Sequence, residues 1–421
     1  MKATKIFMMA ALALMTAACS NDDNDFAQQP AEQAANGEIT ITATVSSDEG
    51  ATTRALRIDG SNIASTWETT DEFAILFNDG SSYVKRIATV VAPISGSTVT
   101  ITFTIPESLA SNTACTIVYP ASAANAANTG ADVATALATQ DGTIENCPEV
   151  RVGTATIDKD NHSLSSVTKL AAQNAIFQFD TQDLTPSGIP VSEFKVSDGS
   201  GNVITTVTPS GTPFYVALPA MAAGTYWFNA TYSGKPYIAK ATVTTATTAG
   251  KFYTTTVKMA TIGDVILSDG KFAARSSTGT KVAMIAYLGS ETDHATYKHG
   301  LALALSDEGS MNWTTAKSTC EGKSAVTNAA WQLPSKYQWT KMIDACKNVL
   351  GTKNDYQDLR DGFSGTNGIS GASNLQSDSY RSSTEYEGDS NDAWVFNFLS
   401  GSWEEHSKDL DFFKVRACLA F

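Results

Sequence analysis

From Glu38 to Val45 the chain reads E-I-T-I-T-A-T-V, with Ile39, Ile41, Ala43 and Val45 alternating with threonine or glutamate. A period of two in β-branched residues predicts a strand with one buried face. The same alternation returns at 72–77, 99–105, 116–119, 176–179, 203–207, 226–232 and 253–259. Turn-forming clusters separate these runs: Asn78-Asp79-Gly80, Ser95-Gly96-Ser97, Asp198 to Asn202, and Ser233 to Pro236. Many short strands between turn signals predict antiparallel β-sandwiches. A boundary within 143–151 divides this part into two such domains, 37–146 and 147–260, each of about 100 residues, the usual size. The Ala-rich stretch 121–140 reads as a short helix or a loop crossing the first sandwich.

The pattern changes near residue 261. Trp313, Ala316, Lys317 and Cys320 fall on one helical face, as do Trp339, Ile343, Cys346 and Leu350. Pro334-Ser335 marks the start of the second helix and offers a cap. Strand-like runs at 265–267, 281–287, 300–305, 394–399 and 413–419 complete an α+β domain over 261–421. The fold class expected is therefore mostly β, two sandwiches followed by a mixed domain. Five of the seven tryptophans lie in that last domain. Trp313, Trp331, Trp339 and Trp394 sit on apolar faces and read as core. Trp403, in S-G-S-W-E-E-H at a hairpin tip, is the candidate ligand contact. The loop 362–378 is rich in Gly, Ser and Asn, and reads equally as a binding loop or as filler.

Composition adds an address. Lys2 and Lys5 precede the apolar run 6–15, which has signal-peptide length and is too short to stay as a membrane-spanning helix. Thr16-Ala17-Ala18-Cys19 resembles a bacterial lipobox, although Thr16 stands where Leu is usual. The resemblance implies a signal peptide at 1–18 and acyl chains on Cys19, hence an anchor that does not span the outer membrane. Residues 19–36, acidic and then Gln/Ala/Pro-rich, read as a flexible tether. The acidic cluster 20–25 resembles a surface-export signal of Bacteroidetes lipoproteins. The formal net charge of −14 argues against nucleic acid as a partner, because phosphate contacts need clustered cations.

Five further cysteines are present: Cys115, Cys147, Cys320, Cys346 and Cys418. None has C-x-x-C spacing, so structural zinc is not expected. His294, His299 and His406 lie in polar stretches and read as scattered surface residues. No cofactor, metal or catalytic residue is expected. Cys115 and Cys147 are a candidate disulfide within the first sandwich, one of several pairings that the spacing leaves open.

The run T-T-R-A at 52–55, Trp67 and Asp71 in W-E-T-T-D-E-F-A-I-L-F, Y-P-A-S at 119–122, V-R-V-G-T-A at 150–155 and A-G-K-F-Y-T-T-T-V at 249–257 resemble the fimbrillin family of Bacteroidales in order and spacing. The resemblance covers about 37–260. It implies two transthyretin-like sandwiches, and cleavage by an arginine-specific protease between Arg54 and Ala55, with Arg57 as a neighbouring alternative. It also implies that the strand carrying Ile39, Ile41, Ala43 and Val45 is displaced, so that another fimbrillin subunit donates a strand into the groove. Cutting there would release Cys19 and its lipid from the mature body.

Within 261–421, W-Q-L-P-S at 331–335, S-S-T-E at 382–385, A-W-V-F-N-F at 393–398 and K-V-R-A-C-L-A-F at 414–421 resemble a C-terminal domain of Bacteroidetes surface lipoproteins. That domain is grouped with formylglycine-generating-enzyme-like and C-type-lectin-like folds. Arg381 stands where it usually has Trp. The lectin-like resemblance implies a disulfide between Cys320 and Cys418, leaving Cys346 free. The calcium motifs E-P-N and W-N-D do not occur. The combined expectation is a pilus tip subunit, not an enzyme, which accepts a strand and ends in a head that binds a surface glycan or protein. The alternative is a surface lipoprotein that binds such a ligand without polymerising.

Overall fold

In the computed structural model the described residues are 37–47, 57–59, 62–64, 67–125, 127, 130–364 and 368–421. The chain is mostly β, as its alternation predicts.

The first domain is built from β1 (Glu38–Ser46), β2 (Glu72–Asn78), β3 (Tyr83–Ser95), β4 (Thr98–Pro106), β5 (Thr113–Tyr119), β6 (Arg151–Asp158) and β7 (Ser163–Ser165). They order as β1-β4-β3-β2-β5-β6-β7, with Ala171–Ala172 also paired to β6. The sheet curls until β1 meets the β6–β7 end. One face of every strand fills a single core, in which Ile41, Phe73, Ile75, Phe77, Ile101, Ile117 and Ile157 are buried.

The opposite face of β2 and β5 is covered too. Ala74, Leu76 and Val118 pack there against Leu137 of the short helix α1 (Val133–Leu137), and against Cys147 and Val150. Ile176 and Ala217 of the next domain join this cluster, so the two sandwiches share a packed joint. Gln140 pins it. Its Nε2 donates to Leu137 O at 3.0 Å, Thr205 Oγ1 at 3.0 Å and Ala217 O at 2.8 Å, and its Oε1 accepts from Ala217 N at 2.8 Å. A buried amide with its bonding capacity met specifies one docking geometry.

The second domain contains β8 (Asn174–Asp183), β9 (Glu193–Ser197), β10 (Val203–Val207), β11 (Phe214–Pro219), β12 (Gly224–Tyr232), β13 (Lys235–Val243) and β14 (Phe252–Thr261). The order is β10-β9-β12-β13-β14-β8-β11, with β8 and β14 parallel and Thr139–Gln140 added beside β10. Phe179, Phe194, Phe214 and Phe228 form its centre, with ring centroids 5.0 to 6.0 Å apart.

These pairings move the expected boundary at 146/147. β6 belongs to the first sheet, where Arg151 to Ile157 pair with Tyr119 to Thr113. The division falls near residue 173. The turn-rich stretch 141–149 marks a covering loop, because ladder partners distant in sequence decide which sheet a strand joins.

The third domain follows β14 without a long linker. One sheet runs from Phe272–Ala273 through β15 (Val265–Leu267), β16 (Lys281–Leu288) and β17 (Gly300–Ala304) to β23 (Cys418–Ala420) and β18 (Ala330–Gln332). The other runs from Gly309–Ser310 through β22 (Lys414–Val415), β19 (Ser379–Tyr386) and β20 (Asp389–Asn397) to β21 (Ser402–Ser407). Helices α2 (Trp313–Glu321), α3 (Lys336–Cys346) and α4 (Tyr356–Asp361) complete it. Ser335 caps α3 with a capping box to Gln338, the signal that Pro334-Ser335 carries. The core extends into the second domain through Trp227, Ile238, Ala260 and Ile262. Trp227 stacks on His299 with centroids 3.8 Å apart, which fixes the head on its neighbour.

Candidate functional site

β1 is an edge strand joined to β4 by an uninterrupted antiparallel register from Glu38↔Pro106 to Ser46↔Thr98. Its inward residues Ile41, Ala43 and Val45 are buried, Ile39 is half-buried, and Thr42 and Thr44 face solvent. Burial of Ile41 and Val45 contributes roughly 2 kcal/mol each. The other flank of β1 meets the β6–β7 end. There Thr42 N donates to His162 O at 3.1 Å, and Leu170 N donates to Ser46 O at 2.8 Å. Taking β1 away would uncover the β4 ladder and the pockets for alternate side chains, the two features that bind an added strand.

Trp67, Tyr119 and Ala155 from the motifs that carry the fimbrillin resemblance pack in this core. Trp67 is buried, donates through Nε1 to Ser97 O at 2.9 Å, and lies edge-on to Tyr119 at 4.8 Å. Tyr119 donates to Asp71 Oδ1 at 3.0 Å. Arg151 is buried and pairs with Glu149 at 2.5 Å. A Cβ on Gly153 would come within 2.7 Å of Leu170, the residue whose backbone bonds to Ser46. Cys19, Arg54 and Ala55 lie outside the described residues.

The candidate disulfides are not formed: all five described cysteines are buried free thiols. Cys115 faces the core of the first sandwich, and Cys147 packs on the opposite face of the same sheet. A bridge between them would have to pass through the sheet. Cys320 and Cys418 both lie in the core of the head, but as thiols, without the disulfide that the lectin-like resemblance implies. Burial raises the Cys320 thiol to about 12, and burial together with Cys320 raises Cys418. Cys346 bonds through Sγ to Ala286 O at 3.3 Å.

Of the four tryptophans expected in the core, Trp331 and Trp339 are buried. Trp313 and Trp394 are only half-buried. Trp394 lies at the open end of an aromatic row on the β19–β20–β21 sheet, edge-on to Tyr386 at 5.1 Å and to Trp403 at 6.5 Å. Trp403 is not an open hairpin tip. It is half-buried, lies 5.1 Å from Phe396, and has the Lys336 ammonium 5.4 Å from its ring. That ammonium sits 3.1 Å over Trp394, so it covers the ring face that a ligand would use.

Arg381 is fully buried. It donates from Nε to Met311 O at 3.2 Å and from Nη2 to Ser407 O at 3.2 Å, with a further bond to Leu410 O. Burial lowers its pKa to about 10. Its place in the fold is therefore structural. Arg416 went unnoticed in the sequence. It is fully buried, its Nε donates to Asp307 Oδ1 at 2.7 Å, and Nη1 donates to Ala304 O and Ser373 O. Tyr380 donates to the same carboxylate at 3.0 Å. This knot anchors the described part of the loop 362–378. The only advance signal was a lone arginine inside the apolar run K-V-R-A-C-L-A-F.

The histidines are dispersed. His294 Nδ1 accepts from Thr296 and Tyr297, His299 stacks at the domain joint, and His406 lies 3.3 Å from Glu404. Among the described residues no group of three metal-binding side chains assembles.

The head also carries a cleft of about 1040 Å³ between the 275–282 segment, the end of β17, the turn after α2 and residues 368–371. Its wall includes Arg275, Lys281, Lys323 and Trp331. Nothing in the sequence marked it, because its wall comes from five separated segments.

No protein-family profile matches the chain, and no curated protein matches it. Solved structures similar in part include a fimbrial protein from Bacteroides ovatus, 11% identical over 91% of this chain and 99% of that one, with a TM-score of 0.27. A proposed cell adhesion protein from Bacteroides uniformis is 14% identical over 54% of this chain and 98% of its own, with a TM-score of 0.29. A shaft pilin from Lactobacillus rhamnosus is 13% identical over 54% of this chain and 98% of its own, at 0.23. Scores this low carry no argument about fold or role.

Proposed function

We propose that this chain is a surface-displayed fimbrial subunit whose first strand is exchangeable, with its C-terminal domain as an adhesive head at the filament tip. The observation that carries the reading is β1: an edge strand with one long ladder, alternating burial, and Arg54 in the segment that follows it. Cleavage after Arg54 would leave β1 held by non-covalent contacts alone. A strand of the same alternation from a neighbouring subunit would then take its place. Within the head, β23 is a central strand paired on both sides, so residues 418–420 are held in that sheet. The tip position follows from reading the C-terminal domain as the adhesive part of the subunit.

The test is a double variant, Arg54→Ala with Arg57→Ala, expressed beside wild-type subunits. It is expected to keep residues 19–54 attached and to stay out of isolated filaments. Normal incorporation of the double variant would refute strand exchange at this site.

A further inference from the structure

The cleft of the head, of about 1040 Å³, differs in chemistry from the rest of this acidic chain. Arg275, Lys281 and Lys323 line it, and among the described residues no Asp or Glu does. Two of the three cations are engaged. Lys323 bonds to Glu308 at 2.6 Å and lies 5.1 Å from the Trp331 ring centroid. Arg275 donates to Gly362 O and lies near Asp264, whose charge offsets part of the cost of burying the guanidinium. Lys281 is half-buried and its ammonium has no ion pair or hydrogen bond among the described residues. One positive charge is therefore left over at the cleft wall.

The rest of the lining is rich in hydroxyls, among them Ser276, Thr278, Ser306, Ser324 and Ser370, with a small apolar area from Val282, Leu305 and Trp331. Hydroxyls that both donate and accept match a polyol, and one ammonium matches one carboxylate. The volume lies at the upper end for small-molecule sites and accommodates more than one sugar ring. Nucleic acid is disfavoured by the net charge of −14. We propose that this cleft binds a carboxylate-bearing oligosaccharide, with Lys281 pairing the carboxylate and the flanking serines and threonines bonding the ring hydroxyls. The proposal rests on the head being the ligand-binding part of the chain, and it names the ligand class.

The experiment titrates the full chain with a galacturonic acid trimer, a neutral galactose trimer and triglutamate, by calorimetry at low and high salt. The charged sugar is expected to bind at least ten-fold more tightly than the neutral one and to weaken with salt. Triglutamate is expected not to bind. Lys281→Glu should weaken the charged sugar at least ten-fold, and Lys281→Arg should retain it. Equal binding of the two sugars, equal binding of triglutamate, or indifference to Lys281→Glu would overturn the assignment. If binding instead falls in Lys336→Ala, the ligand belongs to the aromatic row, so the cleft proposal fails while the adhesive head stands. If no probe binds, the cleft proposal also fails. Attachment of the intact chain to mucin-coated surfaces then judges the head separately.

Discussion

β1, with nine residues, and β23, with three, could hardly be held more differently. β1 lies at a sheet edge, shows one face to solvent, and exchanges its long register with β4 alone. β23 lies between β17 and β18, and its three residues are fully buried. The contrast teaches what makes a strand replaceable. An edge strand that presents an alternating face can leave behind a groove with the same pattern. A central strand buried on both faces leaves a hole in a core and two broken ladders.

The largest expected effect sharpens that contrast. Leu419→Asp places a charge in the centre of the head and should unfold that domain, at a cost above about 4 kcal/mol. Ile41→Asp should instead loosen β1 and leave the head's amide exchange unchanged. Hydrogen-exchange mass spectrometry reads both outcomes, and global unfolding by Ile41→Asp would break the comparison. Arg416→Ala comes next. It strands Asp307 and the carbonyls of Ala304 and Ser373, at about 3 kcal/mol or more, measured by urea denaturation. Gly153→Ala should displace Leu170 and weaken its bond to Ser46, costing about 1 to 2 kcal/mol. The readout is faster exchange of the β1 amides, with the head unaffected.

The smallest effects concern pH at the joint between the second domain and the head. Burial first, and then the Lys240 charge, lower the His299 pKa to about 4. A depressed folded-state value means stability that is complete above the ordinary histidine range and lost as pH falls through about 4. Burial raises Asp264 to about 6, with Asp183 adding to the rise and Arg275 opposing it. That contribution is complete below the ordinary aspartate range and lost as pH rises through about 6. The two trends oppose each other between pH 4 and 6. Asp264→Asn should therefore raise thermal stability at pH 8 relative to pH 5, and His299→Phe should flatten the loss on acidification. Identical melting profiles for wild type and both variants would remove the joint from the account.

Where local pattern decided the outcome, the sequence was readable. The alternation at 38–45 became β1, and Pro334-Ser335 became the cap of α3. The helical face expected to reach Leu350 stops at Cys346, where Asp358 captures the Asn348 amide and Asn348 turns to a positive φ of 57°. Partners distant in sequence were not readable. β6 joins the first sandwich and not the second because its ladder partner β5 lies across the covering loop. Cys115 and Cys147 look pairable in one dimension and sit on opposite faces of a sheet in three. Trp394 alternates like a core residue but is only half-buried, on a sheet face that Lys336 covers. The cleft around Lys281 has no local signature at all.

The most direct measurement follows β1 itself. The chain is cut with an arginine-specific protease and incubated with an isotope-labelled peptide of residues 37–47, and native mass spectrometry follows the exchange. The account predicts that the cut chain releases its own segment and binds one labelled peptide, regaining the melting temperature of uncut protein, while uncut protein takes up none. A cut chain that keeps its own segment, or one that loses it without any fall in stability or any uptake of peptide, would contradict strand exchange.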